Sequence, residues 1–86
     1  MVRTFMNLDQ AQLQTTWRIV KLHESADLPE RSRQLQEIGF LPGELVSVLT
    51  KGLPGGDPLM VRVGLSTFAL RKAEAQCIEV EPKVHA

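Results

Sequence analysis

The sequence predicts a mainly β domain, a small five-stranded, partly open barrel of SH3-like form, with one short helix inserted after the first strand. Three observations lead there. Five stretches of six to ten residues alternate apolar with polar positions. Gly- or Pro-containing turns separate several of them. One segment alone combines a helix start signal with apolar positions at helical spacing. At 86 residues the chain is one domain, and a domain of this size buries roughly 60 to 65% of its unfolded surface, which leaves a thin core and little room for a deep cavity.

Residues 1–14 hold scattered apolar positions, Leu8, Ala11 and Leu13, without a period, and read as an N-terminal arm with one helical turn. TTWRIVKLHE, 15–24, is rich in β-branched and long apolar residues, with Arg18 and Lys21 interrupting it as a half-exposed first strand requires. Asp27 and Glu30 have capping-box spacing and Pro29 suits a first turn, so a helix is predicted to start there. Leu28, Leu35 and Ile38 form its apolar stripe, Ser32 allows close approach, and Arg33 pairs with Glu37 on the wet face. Gly39 ends the helix in the left-handed region. Phe40 and Leu41 are expected to fold back onto it, while Pro42 forbids more helix and Gly43 swings the chain into the next strand.

ELVSVLTK, 44–51, is the second strand, with Val46 and Val48 inward and Leu45 and Leu49 on a face that needs partial cover. KGLPGGDP, 51–58, is a hairpin loop. LMVRVG, 59–64, and STFALR, 66–71, are strands three and four, with Leu59, Val61, Val63, Phe68 and Leu70 in phase. KAEAQ, 72–76, is helix-prone but too short to stand alone. CIEVEP, from Cys77, turns Ile78 and Val80 inward as the last strand. The SH3-like domain is thus expected over 15–82, with a tail at 83–86.

Composition narrows the function. Lys and Arg number 10, Asp and Glu 10, and this zero balance lacks the basic footprint of a nucleic-acid binder or a polybasic membrane anchor. Cys77 stands alone, so neither a disulfide framework nor a CxxC motif can form, which fits a reducing compartment. Asn7, Asp9, Gln10, Gln12 and Gln14 break up any signal-peptide core, and no apolar run is long enough to span a membrane. The expectation is a cytoplasmic, non-secreted protein.

The order of the motifs RQLQEIGFLPGELVSVL, GDPLMVRVG and FALRKAEAQCIEV resembles the ferrous iron transport protein A (FeoA) family from about Leu28 to Val80. The family's turn from a leucine-bearing helix into Leu-Gly-x-x-Pro-Gly corresponds to Leu35, Ile38, Gly39, Phe40, Pro42 and Gly43, with Ile38 in place of the usual Leu. Its Gly-x-Pro loop corresponds to Gly56, Asp57 and Pro58, and its Ala-Leu-Arg and Glu-Ala steps to Ala69, Leu70, Arg71, Glu74 and Ala75. Where the family often has a Pro-Gly turn before the first strand, this chain has Gln12, Leu13 and Gln14. The resemblance implies a stand-alone cytoplasmic accessory protein that binds rather than catalyses. It would dock to the cytoplasmic region of the FeoB-type transporter, which carries a GTP-binding domain, and could regulate it. No cofactor is required.

Candidate site residues follow. Leu53, with Pro54, is an apolar residue on an exposed loop and a candidate partner anchor. Arg31, Arg71 and Lys72, with Arg33 and Arg62, are candidates for steering toward an acidic patch on a G domain. Gly39, Pro42, Gly43, Gly56 and Pro58 are read as structural turn residues. A transition metal, iron or zinc, would be bound weakly through His23 with Glu24 and groups from a second subunit, since no pairwise spacing closes a site. His85 lies in the tail, and Cys77 is read as a small packed residue. Spare apolar positions Leu13, Leu45 and Leu49 leave room for a homodimer.

The alternative reading is a transition-metal-binding or sensing module related to the C-terminal domain of iron-dependent repressors, although no helix-turn-helix segment accompanies it here. A proline-peptide binder needs an aromatic-lined groove that one Trp, three Phe and no Tyr can hardly supply. Scarce stacking residues also disfavour single-stranded nucleic acid. One Cys and two separated His offer no nucleophile, base and orienting group for an enzyme.

Overall fold

The computed structural model describes residues 5–24, 29–52 and 55–83. All five predicted strands are present: β2 (Thr16–Leu22), β3 (Leu45–Lys51), β4 (Leu59–Val63), β5 (Ser66–Leu70) and β6 (Ile78–Pro82) follow a sixth, β1 (Met6–Asn7). They form one antiparallel sheet in the order β1-β6-β2-β3-β4-β5. Two residues of β1 are too few for alternation to show, so β1 was invisible to a pattern reading. Register shifts between Ile19 and Lys21 on β2 and between Val48 and Thr50 on β3 are the bulges that bend long strands and let a sheet curl around its core.

Alternation behaves as expected, with Val46, Val48, Leu59, Val61, Val63, Ile78 and Val80 all buried. Phe40 lies fully buried, and its ring sits 5.8 Å from that of Phe68 at a tilt of 53°. The described part of the N-terminal arm is more deeply engaged than a peripheral arm. Met6 and Asn7 pair with Val80 and Glu79, a 3-10 turn follows at Leu8–Gln10, and Leu8 and Ala11 join the core. Lys51 Nζ donates to the Asp9 carbonyl at 2.8 Å, which ties the arm to β3. Where the resemblance expects Pro-Gly, Gln14 takes the left-handed φ of 58° and its N–H bonds the Val48 carbonyl at 2.8 Å.

The helix α1 covers Arg31–Glu37, shorter than expected, with Glu30 at the N-cap position and no side-chain cap. Asp27 and Leu28 lie outside the described residues. The predicted capping box with Asp27 therefore falls outside the described residues, and the Glu30 carboxylate lies 3.7 Å from the Arg33 guanidinium, which also meets Glu37 at 3.8 Å. Leu35 and Ser32 are buried as predicted. At the C-terminus Gly39 has φ 122°, the Phe40 N–H bonds the Leu35 carbonyl at 3.0 Å, and the Gly39 N–H bonds the Gln36 carbonyl at 3.1 Å. That pair of bonds is a Schellman motif, which turns the aromatic ring back under the helix.

Two expectations about this turn need correction. Ile38 is half exposed because it occupies the C-cap, where the chain leaves the helical stripe, and Leu41 faces solvent. Leu41 opens a tight turn in which the Glu44 N–H bonds its carbonyl at 3.0 Å, so only Phe40 folds back. The turn is fastened to β2 at both ends, with the Gly43 N–H on the Ile19 carbonyl at 2.8 Å and the Ile19 N–H on the Glu44 carbonyl at 2.9 Å. KAEAQ forms a single helical turn, α2 (Lys72–Ala75). A segment so short persists because Ala75 is fully buried and its first amides are satisfied from outside the helical ladder.

Candidate functional site

The loop between β3 and β4 is closed by its own backbone: the Gly52 N–H bonds the Pro58 carbonyl at 2.8 Å, and the Gly56 N–H bonds the Gly52 carbonyl at 2.9 Å. A Cβ on Gly52 would stand 2.6 Å from the Asp57 carbonyl oxygen, so glycine is required by contact alone. Leu53 and Pro54, the expected anchor, lie outside the described residues. Asp57 then reaches across the fold. Its Oδ1 accepts the Lys72 N–H at 2.9 Å, while the Glu74 carboxylate accepts the Arg71 N–H at 2.8 Å. The Gly-x-Pro loop and the Ala-Leu-Arg corner are therefore one assembly, with the exposed side chains of Arg71 and Lys72 beside the loop.

The other cations part company. Arg31 begins α1 and lines a hollow of about 320 Å³ with Pro29, Glu30 and Gln34. Arg33 is shared between two carboxylates and is no free cation. Arg62 lies on the outer face of the sheet, opposite Ser47 on β3 and Thr67 on β5. It lines a groove of about 430 Å³ with Thr16, Glu44, Leu45, Ser47, Gly64 and Leu65.

His23 follows β2, and its N–H bonds the Cys77 carbonyl at 2.7 Å. Its Nε2 lies 2.9 Å from Glu79 Oε1, on the neighbouring strand β6. Glu79 is the neighbour that sequence reasoning missed; it reads there only as an outward position on the last strand, and pairing β6 with β2 is what brings it to the histidine. Glu24 is exposed and takes no part in this pair. Among the described residues no three His, Cys, Asp or Glu side chains converge as a metal ion would require, so these residues do not by themselves fit a metal centre. Cys77 is buried, with Sγ 3.5 Å from the Ala73 carbonyl.

A bent antiparallel sheet of short strands around a thin core, with one inserted helix and its polar groups on loops and corners, defines a small SH3-like β domain. The FeoA domain profile matches residues 6–82. The chain belongs to the FeoA family, which is linked to ferrous iron transport. It is similar to the zinc complex of FeoA from Stenotrophomonas maltophilia, an SH3 domain protein, at 37% identity and TM-score 0.78 over 87% of this chain and 88% of that one. It is similar also to iron(II) transport protein A from Clostridium thermocellum, at 36% identity and TM-score 0.75 over 90% of this chain and 45% of that one. A manganese-dependent transcriptional repressor shares the fold at 20% identity and TM-score 0.79, over 96% of this chain and 44% of the repressor. No curated protein matches the sequence. Among the described residues no helix is long and apolar enough to cross a membrane.

Proposed function

We propose that this protein is a cytoplasmic accessory factor of ferrous iron uptake that docks on the cytoplasmic region of an FeoB-type transporter, through the β3–β4 loop and the Arg71–Lys72 corner. The observation that carries this reading is the Asp57–Lys72 hydrogen bond at 2.9 Å, which holds the loop and two exposed cations at one place on the surface. Such a surface suits an acidic patch: the cations speed encounter, and an apolar loop residue supplies affinity. Binding rather than catalysis is the activity.

Titration calorimetry of this protein into the transporter's cytoplasmic G domain, with a GTP analogue or GDP, tests the proposal. Micromolar or tighter binding is expected. Leu53→Ala should weaken it by roughly ten- to hundred-fold without unfolding the protein, and reversing both Arg71 and Lys72 to Glu should slow association. Absence of binding under every condition, confirmed by a second method, would refute docking on this domain. Metal-dependent regulation is a second reading, favoured by the His23–Glu79 pair and by the zinc complex of the 37% identical relative. It predicts that ferrous iron or zinc changes the affinity in the same titration and that His23→Ala abolishes the change.

A further inference from the structure

The β4–β5 hairpin turns on two residues, Gly64 and Leu65. Gly64 has φ 57° while Leu65 does not share a positive φ, which is the pattern of a type II′ turn with glycine at the first central position. That geometry leaves Leu65 at the tip, 95% exposed. The leucine is not an isolated surface residue. Its neighbour Gly64 bonds the Leu45 carbonyl at 3.4 Å, and the Glu44 N–H bonds the Leu41 carbonyl at 3.0 Å. Exposed Leu65 and half-buried Leu45 both line the 430 Å³ groove, an apolar pair of the kind that marks an interaction surface.

The charges of the groove say what fits it. Glu44 and Arg62 both line it, and neither forms an ion pair among the described residues. A uniformly acidic partner would meet Glu44, and a uniformly basic one would meet Arg62. A surface carrying one base and one acid, related by a two-fold axis, satisfies both, and this same groove is such a surface. The chain's zero net charge adds no long-range repulsion between copies.

We propose that a second copy of this chain docks in the groove about a two-fold axis, each Leu65 covering the other copy's Leu45 and each Arg62 pairing with the other copy's Glu44. A standard interface takes about 800 Å² from each partner, roughly one-seventh of the 5705 Å² surface of this chain. Two leucines with one acid and one base are small by that measure, so the dimer is weak and forms at high concentration.

Sedimentation and NMR dilution of the full chain between about 10 μM and about 1 mM, spanning weak dissociation constants, provide the test. The wild-type protein should dimerise across this range, with shift changes at Glu44, Arg62 and Leu65. Leu65→Ser, Glu44→Arg and Arg62→Glu should each reduce association at least tenfold. An equimolar mixture of Glu44→Arg with Arg62→Glu should recover it, because each copy then carries the charges its partner lacks. All three positions of this test lie on the surface, and thermal melts of each variant check its fold. A wild-type protein that stays monomeric throughout, a dimer indifferent to both charge reversals, or a mixture that fails to recover would each overturn the proposal.

Discussion

Two residues with positive φ show how single backbone angles are bought or lost in this fold. Gly39 has φ 122°, and a Cβ there would meet only Val63 Cγ1, at 3.8 Å. Space is available, so the cost of Gly39→Ala is conformational, about 1–3 kcal/mol. Gln14 is the reverse case, a residue with a side chain held at φ 58° by its hydrogen bond to Val48. Gln14→Gly relieves a left-handed strain of about 1–2 kcal/mol and adds about 0.5–1 kcal/mol of unfolded-state entropy, so it should stabilise by up to about 1.5 kcal/mol. Urea unfolding of the two variants should move the midpoint in opposite directions at unchanged slope. Equal signs would show that the turn geometry is not what limits stability at these positions.

Among elements, α2 depends most on its surroundings. Four residues cannot hold a helical turn against the cost of nucleation. Burial of Ala75 and the two carboxylates that accept the Arg71 and Lys72 amides make up the difference. Asp57→Ala removes one of these acceptors, and by analogy with lost helix caps should cost about 0.5–2 kcal/mol. The effect belongs to the junction of two elements: hydrogen exchange should quicken at residues 72–76 and in the 55–58 loop together. Exchange that quickens in the loop alone would mean that α2 stands without this contact. The helix α1 differs, because its stop signal is written locally in Gly39 and its packing in Leu35, Ser32 and Phe40.

At the scale of the molecule, the N-terminal segment completes the core and one edge of the sheet. Leu8 and Ala11 are core residues, and β1 covers part of the outer edge of β6. Removing residues 1–11 therefore takes a buried leucine out of the core, a loss of about 2–5 kcal/mol, from a domain whose whole stability is of order 5–15 kcal/mol. The melting temperature should fall by more than about 10 °C; an unchanged melt would show that the segment is peripheral.

Much of this architecture was legible in the sequence. Strands β2 to β6, the helix and its stop, and the loops at 51–58 and 39–43 follow from alternation, helical spacing and the placement of Gly and Pro, because those signals act within a few residues. Motif order likewise pointed to the family, and the profile over residues 6–82 bears it out. The tertiary structure alone decided which strands became neighbours. It paired β1 with β6, set Glu79 beside His23 from 56 residues away, laid Asp57 on the start of α2, and left Leu41, Ile38 and Leu65 outside the core. These outcomes depend on how a bulged, open sheet curls around a thin core, a packing balance summed over the whole chain that no local window of residues contains.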